Sequence, residues 1–318
     1  MWHSIAPPPM WIGFIFFIFF LLALDLGVFH RKAHAIRSRE ALIWTGVWIG
    51  LALLFDVGIW WEFGHERALE FLTGFLIEKA LSVDNIFVFV VLFSYFGIPS
   101  IYQHRVLFWG ILGAMVTRIA FILTGAALLD RFEWIIFLFG GFLIYTGIKI
   151  LLEHETEVAP ERNRILKLFR RCVPTVAELH GTHFLIRKEG RYHATPLLVV
   201  LVVIEATDVV FAVDSIPAIF AVTKDPFIVF TSNIFAILGL RSLYFLLARF
   251  VEKFHFLNYG LGIVLIFVGF KMLVNEYLEI PITLSLAVVG ALLAGSIVLS
   301  FLIPPPKEAS EADPGQDG

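Results

Sequence analysis

Five carboxylates sit where an apolar chain should not hold them. Glu205, Asp208 and Asp214 lie inside the run VVLVVIEATDVVFAVDSIPAIF at 199–220, and Glu78 and Asp84 lie inside FLTGFLIEKALSVDNIFVFVVLF at 71–93. An ionised acid in hydrocarbon costs about 2.5–3.5 kcal/mol even on the lenient insertion scale, so each needs a partner, a proton, water or a cation. Asn85 and Ser215 stand beside two of the acids, which makes the set rich in oxygen. The central runs contain no His or Cys. Carboxylate, amide, carbonyl and water ligands suit Mg, Ca and Mn, whereas zinc and copper sites recruit imidazole or thiolate. A hard divalent cation is therefore one reading of Glu78, Asp84, Asn85, Glu205, Asp208, Asp214 and Ser215. The other is a set of buried ion pairs to Lys79, Arg118, Arg241, Lys149 or Lys271 that ties helices together. Arg118 and Arg241 lie deep enough in their runs to offset the acids whenever a cation leaves, while Lys149 and Lys271 lie near run ends and are expected to snorkel.

The elements that must carry these residues are membrane helices. Of 318 residues, 59% are hydrophobic and 16% are charged, and the mean hydropathy is +0.86, well beyond ordinary globular domains. Apolar runs of spanning length fall near 11–29, 41–61, 70–95, 106–128, 134–152, 196–222, 227–248, 258–275 and 281–303. The first is too long for a signal h-region, has no Lys or Arg before it and reads as an uncleaved helix. The expected fold is all-α, a polytopic membrane protein of about nine transmembrane helices. Asp25 and Asp56 sit toward the ends of the first two runs, where interfacial or interhelical hydrogen bonding is expected.

Basic residues collect at 30–40 (Arg31, Lys32, Arg37, Arg39) and along 153–195, whereas 62–70 and 276–280 are acidic. The positive-inside rule then puts the amino terminus outside and the carboxyl terminus in the cytoplasm. Within the long loop, HFLIRKEGRYHAT suggests a small hairpin about Lys188-Glu189-Gly190, and His180, His183 and His193 read as solvated rather than metal-bound. The formal charge of −3 argues against a nucleic-acid partner, whose phosphates would need a basic face. Cys172, the one cysteine, allows neither an intramolecular disulfide nor a thiolate zinc site.

The chain also repeats itself. Ser82-Val83-Asp84-Asn85-Ile86 resembles Ala212-Val213-Asp214-Ser215-Ile216, and the same offset places Glu78 on Asp208. Gly140, Leu143, Ile144, Gly147 and Lys149 match Gly262, Leu265, Ile266, Gly269 and Lys271, and Arg118 matches Arg241. Three spans match three spans, so the second copy enters the membrane from the opposite side, a plan that places transporter substrate sites near the bilayer midplane. The expected organisation is two peripheral helices at 1–68, a first three-helix repeat at 69–152, the cytoplasmic loop at 153–195, a second repeat at 196–276, a last helix at 277–303 and a disordered acidic tail at 304–318. Six residues separate Glu78 from Asp84 and Asp208 from Asp214, which on a regular helix is an offset of about 120° and about 9 Å. Pro217 is expected to break the helix around Val213–Pro217 and turn Asp214 toward Asp208.

Together FLTGFLIEKALSVDNIFVFVVLFSYFGIP, TPLLVVLVVIEATDVVFAVDSIPAIFAVTKDPFIVFTSNIFAILGLRSLYFLLA and ALDLGVFHRKAHA closely resemble the TerC family of integral membrane proteins, most nearly its Alx branch. The resemblance covers nearly the whole chain. It implies the LysE-like transporter superfamily by fold, a multi-pass bacterial inner-membrane location and efflux of Mn²⁺, with the family's acidic motif on Glu78, Asp84, Glu205, Asp208 and Asp214. No cofactor is implied, and the metal is cargo. Composition and spacing alone reach only a hard cation, so Ca or Mg export stays open, as does a non-transporting scaffold. An enzyme is not expected, because no His-containing metal motif or activated Ser joins the acids. Protons are the expected coupling ion, since clustered carboxylates can trade a cation for protons.

Overall fold

A computed structural model describes residues 4–24, 38–132, 134–152, 164–188, 190–248, 256–274, 278 and 280–303. The loop residues Arg31, Lys32, Arg37 and Arg162, Asp25, Glu276, Glu279 and the tail lie outside them, and the side chains of Asp84 and Asp214 are likewise not described. The elements are α1 (Pro8–Leu24), α2 (Ser38–Phe63), α3 (His65–Tyr95), α4 (Ser100–Arg131), α5 (Ile135–Leu152), α6 (Arg164–Cys172), β1 (Leu185–Lys188), β2 (Arg191–Ala194), α7 (Pro196–Phe220), α8 (Pro226–Leu238), α9 (Leu240–Leu247), α10 (Leu257–Val274) and α11 (Ile282–Leu302).

The protein is an all-helical, multi-pass membrane protein. Among the described residues, six helices, α2, α4, α5, α7, α10 and α11, are long and apolar enough to cross a bilayer, and a seventh span arises if α8 and α9, bent by 41° about Gly239, are taken as one. Helix α1, with 17 residues, falls just short of that length, and α3 is long enough but carries Glu66, Arg67, Glu70, Glu78, Lys79 and Asp84. The outward faces of α1 and α2 are apolar, with Phe16, Phe19, Phe20, Leu54 and Trp61 exposed, as lipid-facing surfaces are.

Contacts at two opposite ends of the bundle show how the helices alternate. At one end, Ile5 N donates to Asp225 Oδ2 at 2.6 Å and Thr223 Oγ1 donates to Glu70 Oε2 at 2.7 Å, which gathers the amino-terminal segment, the start of α3 and the α7–α8 loop. At the other, Tyr244 Oη donates to Gln103 Oε1 at 3.0 Å and Arg105 lies over the Phe184 ring at 5.5 Å. The second end carries the β1–β2 hairpin, paired antiparallel with Leu185 opposite Ala194 and Lys188 opposite Arg191. Gly190 supplies the positive φ of 80° that its turn needs. Helix α6 also belongs to this end, packed on α7 through Leu166, which is buried. Nothing in the apolar pattern of so short a basic segment announces it.

Glycines set the closest crossings. Helices α5 and α10 meet along their length, and a Cβ on Gly140 would lie 3.0 Å from Gly269 O while one on Gly147 would lie 2.5 Å from Gly262 O. The pair is therefore antiparallel. By contrast α4 and α7 run parallel, with Gly110 against Ile204 and Gly125 against Phe220, and α3 and α8 run parallel with Gly74 against Ser232.

Pro217 does not break α7, which remains helical through Phe220. Its missing N–H falls in the last turn, where Ala221 N donates to Pro217 O at 3.0 Å and Thr223 N to Ile219 O at 3.1 Å to close the helix end. The interruption lies instead at Gly239, between α8 and α9.

Candidate site: a buried guanidinium among carboxylates

The middle of the bundle is polar. Glu78 stands in α3 about 20 Å along the helix from His65, and Asp208 stands about 18 Å along α7 from Pro196, so both sit at mid-depth. Glu78 is 0% exposed, Arg118 1% and Asp208 4%. Arg118, from the middle of α4, reaches between them. Its Nη1 lies 2.5 Å from Glu78 Oε1, an ion pair in which neither oxygen of Glu78 is aligned for a hydrogen bond. Its Nη2 lies 3.5 Å from Asp208 Oδ1. Nη1 also donates to Asn233 Oδ1 at 2.6 Å and to Ser215 Oγ at 3.0 Å. Four helices, α3, α4, α7 and α8, thus meet on one guanidinium, whose Nε has no hydrogen-bond partner among the described residues.

Neighbouring groups are placed by the same crossings. The Glu205 carboxylate, one turn before Asp208, lies against Gly113 of α4, in space that any Cβ at 113 would fill. Glu205 and Asp208, three residues apart on α7, both look onto α4. Asn85 is buried at 2% exposure, with its Oδ1 unpaired among the described residues. Lys79 is turned away from the acids and donates from Nζ to Ala236 O at 3.1 Å, beside the Gly239 bend. There a Cβ would lie 2.7 Å from that Nζ and 3.2 Å from Trp48 Cβ. The bend is thus tied to α3 by a lysine on a backbone carbonyl. Arg241 is buried in α9.

Of the residues expected at the site, Glu78, Asp208, Ser215 and Arg118 converge. Asp84 and Asp214 lie on the same two helices. Among the described residues, no three acidic, His or Cys side chains are arranged to hold a metal ion; the place between the acids is filled by Arg118. Asn233 was not among the expected residues. Its signal was the polar triplet Thr231-Ser232-Asn233 in the otherwise apolar α8, every residue of which is buried. Lys271 departs from the snorkelling expectation, being 6% exposed. It lines a cavity of about 470 Å³ with Glu66, Glu70, Thr223 and Lys224. A second cavity of about 460 Å³ lies on the other side of the same loop, lined by Ser4, Arg67, Asp130, Lys224 and Asp225. Of the loop histidines, His180 Nδ1 sits 3.0 Å from Glu178 O and His193 Nδ1 3.2 Å from Arg191 O.

The family model described as "Integral membrane protein TerC family" matches residues 63–308, a stretch that contains every residue of this site. The chain belongs to the TerC family. Similar TerC relatives extend over the remaining residues as well. An "Uncharacterized membrane protein STKORF319" of Myxococcus xanthus is 55% identical over 310 residues, covering 98% of this chain and 97% of its own. The "Putative membrane-bound redox modulator Alx" of Escherichia coli K12 is 46% identical, covering 95% of each chain. An "Uncharacterized membrane protein" of Rickettsia felis is 42% identical, covering 92% of this chain and 97% of its own. No solved structure matches this TerC chain.

Proposed function

We propose that this TerC protein is a membrane transporter that exports divalent manganese from the cytoplasm by alternating access. The observation that carries the reading is the meeting of Glu78 and Asp208, matching positions of two matching helices, at mid-depth and out of contact with solvent. Intramembrane carboxylates mark ion pathways, and an oxygen-only set suits a hard cation. The choice of Mn²⁺ over Ca²⁺ or Mg²⁺ rests on the family resemblance rather than on the ligands.

On this reading the chain has nine spans, amino terminus outside, and two inverted repeats: α3, α4 and α5, then α7, α8–α9 and α10. The packing supports it. If α3 corresponds to α7 and α4 to α8, the parallel crossing of α4 on α7 has its mate in that of α3 on α8, as found. Gly110 against Ile204 then corresponds, to within one residue, to Ser232 against Gly74. The α5–α10 crossing maps onto itself, Gly140 against Gly269 becoming Gly262 against Gly147. A carrier of this plan rocks one repeat against the other around a fixed site. The buried site would be a closed intermediate of that cycle. Asp84, Asp214, Glu205, Asn85 and Ser215 complete the proposed ligand set as the helices move. The Alx relatives are named for redox modulation; a dithiol couple within one chain needs two cysteines, and this chain has Cys172 alone.

The test is manganese flux in proteoliposomes. Wild-type protein should carry Mn²⁺ down its gradient, and Glu78→Gln or Asp208→Asn should cut the rate by about tenfold or more while inserting normally. Cells lacking the protein, and any redundant exporter, should accumulate manganese. Unchanged cellular manganese together with flux-free vesicles would reject the transport reading in favour of a scaffold.

A further inference from the structure

We propose that Arg118 is a tethered stand-in for the transported cation: it fills the carboxylate site when no metal is bound and thereby lets the unloaded protein return to the cytoplasmic-facing state. The inference rests on the transport reading above and concerns the half of the cycle in which no cargo moves.

Three features carry it. First, the guanidinium uses the oxygen donors a hard cation would use. It lies on Glu78 Oε1 at 2.5 Å and Asp208 Oδ1 at 3.5 Å, and it is met by the neutral oxygens of Asn233 at 2.6 Å and Ser215 at 3.0 Å. Carboxylate, amide and hydroxyl oxygens around one centre are the donor types of a hard-cation site, and here Nη1 sits among three of them. Second, Arg118 is held only by its tip. Its Nε has no hydrogen-bond partner among the described residues, so the long stem can swing the guanidinium out when an ion arrives. Third, the cation next to Glu78 in the chain is engaged elsewhere, because Lys79 donates from Nζ to Ala236 O.

The physical need is plain. Two carboxylates cannot be sealed at the midplane unpaired, and a loaded carrier satisfies them with its ion. An unloaded one must find another positive charge. A proton is one answer, and a guanidinium already on the chain is another that requires no second transported ion. Binding of a divalent ion then replaces one positive charge by two, and the ion's tighter oxygen coordination displaces the guanidinium from its seat.

Two fluxes separate this role from a structural one. Net efflux from loaded vesicles into metal-free medium passes through the unloaded return step in every turnover. Exchange of labelled Mn²⁺ inside for unlabelled Mn²⁺ outside never does. In Arg118→Gln, net efflux is expected to fall by roughly a hundred-fold, the factor set by leaving an intramembrane acid unpaired, while exchange stays within about threefold of wild type. Arg118→Lys keeps a mobile positive charge and should restore net efflux in part. Equal loss of both fluxes in a folded Arg118→Gln protein would overturn the proposal, and so would full net efflux. If Arg118→Gln does not fold, Arg118→Lys decides: a larger fall in net efflux than in exchange supports the proposal, and equal falls refute it. Absence of both fluxes in wild-type vesicles would instead reject the transport reading, and this inference with it.

Discussion

A single residue, Gly113, shows how much of the site depends on what is missing. The Glu205 carboxylate occupies space a Cβ would take, so Gly113→Ala must displace it toward solvent or toward Asp208. The carboxylate is the far end of a flexible side chain, so the fold should tolerate the change. Gly113→Ala is expected to match Glu205→Gln in reducing manganese flux while shifting Tm little, which parallel flux and thermal-melt measurements would check. The acids themselves were legible in the sequence, because a carboxylate in an apolar run is conspicuous. The clearance that admits one was not, because a glycine in a membrane helix has many reasons to be there. Asn233 was illegible for a related reason. A short polar triplet in an apolar helix can back-bond within its own turn, as Thr231 does to Phe227 O at 2.8 Å. Only the approach of Arg118 from another helix gives the amide its role.

Among the elements, the expected break at Pro217 in α7 is absent, and a bend lies instead between α8 and α9. Proline advertises a lost hydrogen bond wherever it stands, yet Pro217 stands in the closing turn of α7, where few bonds remain to lose. Pro217→Ala should therefore leave flux within about twofold of wild type, an outcome that a straight comparison of transport rates can overturn. Gly239 bends its helix with no proline present. The bend persists because Lys79 supplies a donor to Ala236 O, and because Trp48 and Lys79 pack where a side chain at 239 would go. Lys79→Met keeps the stem and removes the donor. An unpaired buried carbonyl costs about 1–3 kcal/mol, so the variant should melt at a lower temperature in detergent, and an unchanged Tm would show that the carbonyl finds another partner. The long spans were readable from hydropathy alone. Helix α3 was readable as the run at 70–95 even though Glu78, Lys79 and Asp84 interrupt it, and α6 left too short a pattern to read.

For the whole molecule, the proposed internal repeat pairs the two ends of the α5–α10 crossing, and this makes a comparison of variants possible. Gly147→Val drives a side chain into Gly262 O, and Gly262→Val drives one toward Gly147 O, at Cβ distances of 2.5 and 2.9 Å. Overpacking of this kind costs about 1–3 kcal/mol. If the pseudo-two-fold governs the packing, the two variants should lower Tm by similar amounts, and clearly unequal melts would speak against it. The order of the helices was thus legible, whereas the partner of each was not, because α3 contacts α8 across a gap of some 150 residues. That gap has a consequence for how the protein is made. Lys79 leaves the ribosome 157 residues before the carbonyl it caps, and Arg118 precedes Asn233 by 115. At about 5–20 residues per second, charged groups of α3 and α4 spend roughly 6–30 s in or beside the insertion machinery with only each other for company. During that interval the half-made chain is a substrate for membrane proteases. Variants at Asn233 or Gly239 should therefore be born normally and vanish early, and a pulse-chase of the nascent protein would record their loss before any transport assay could.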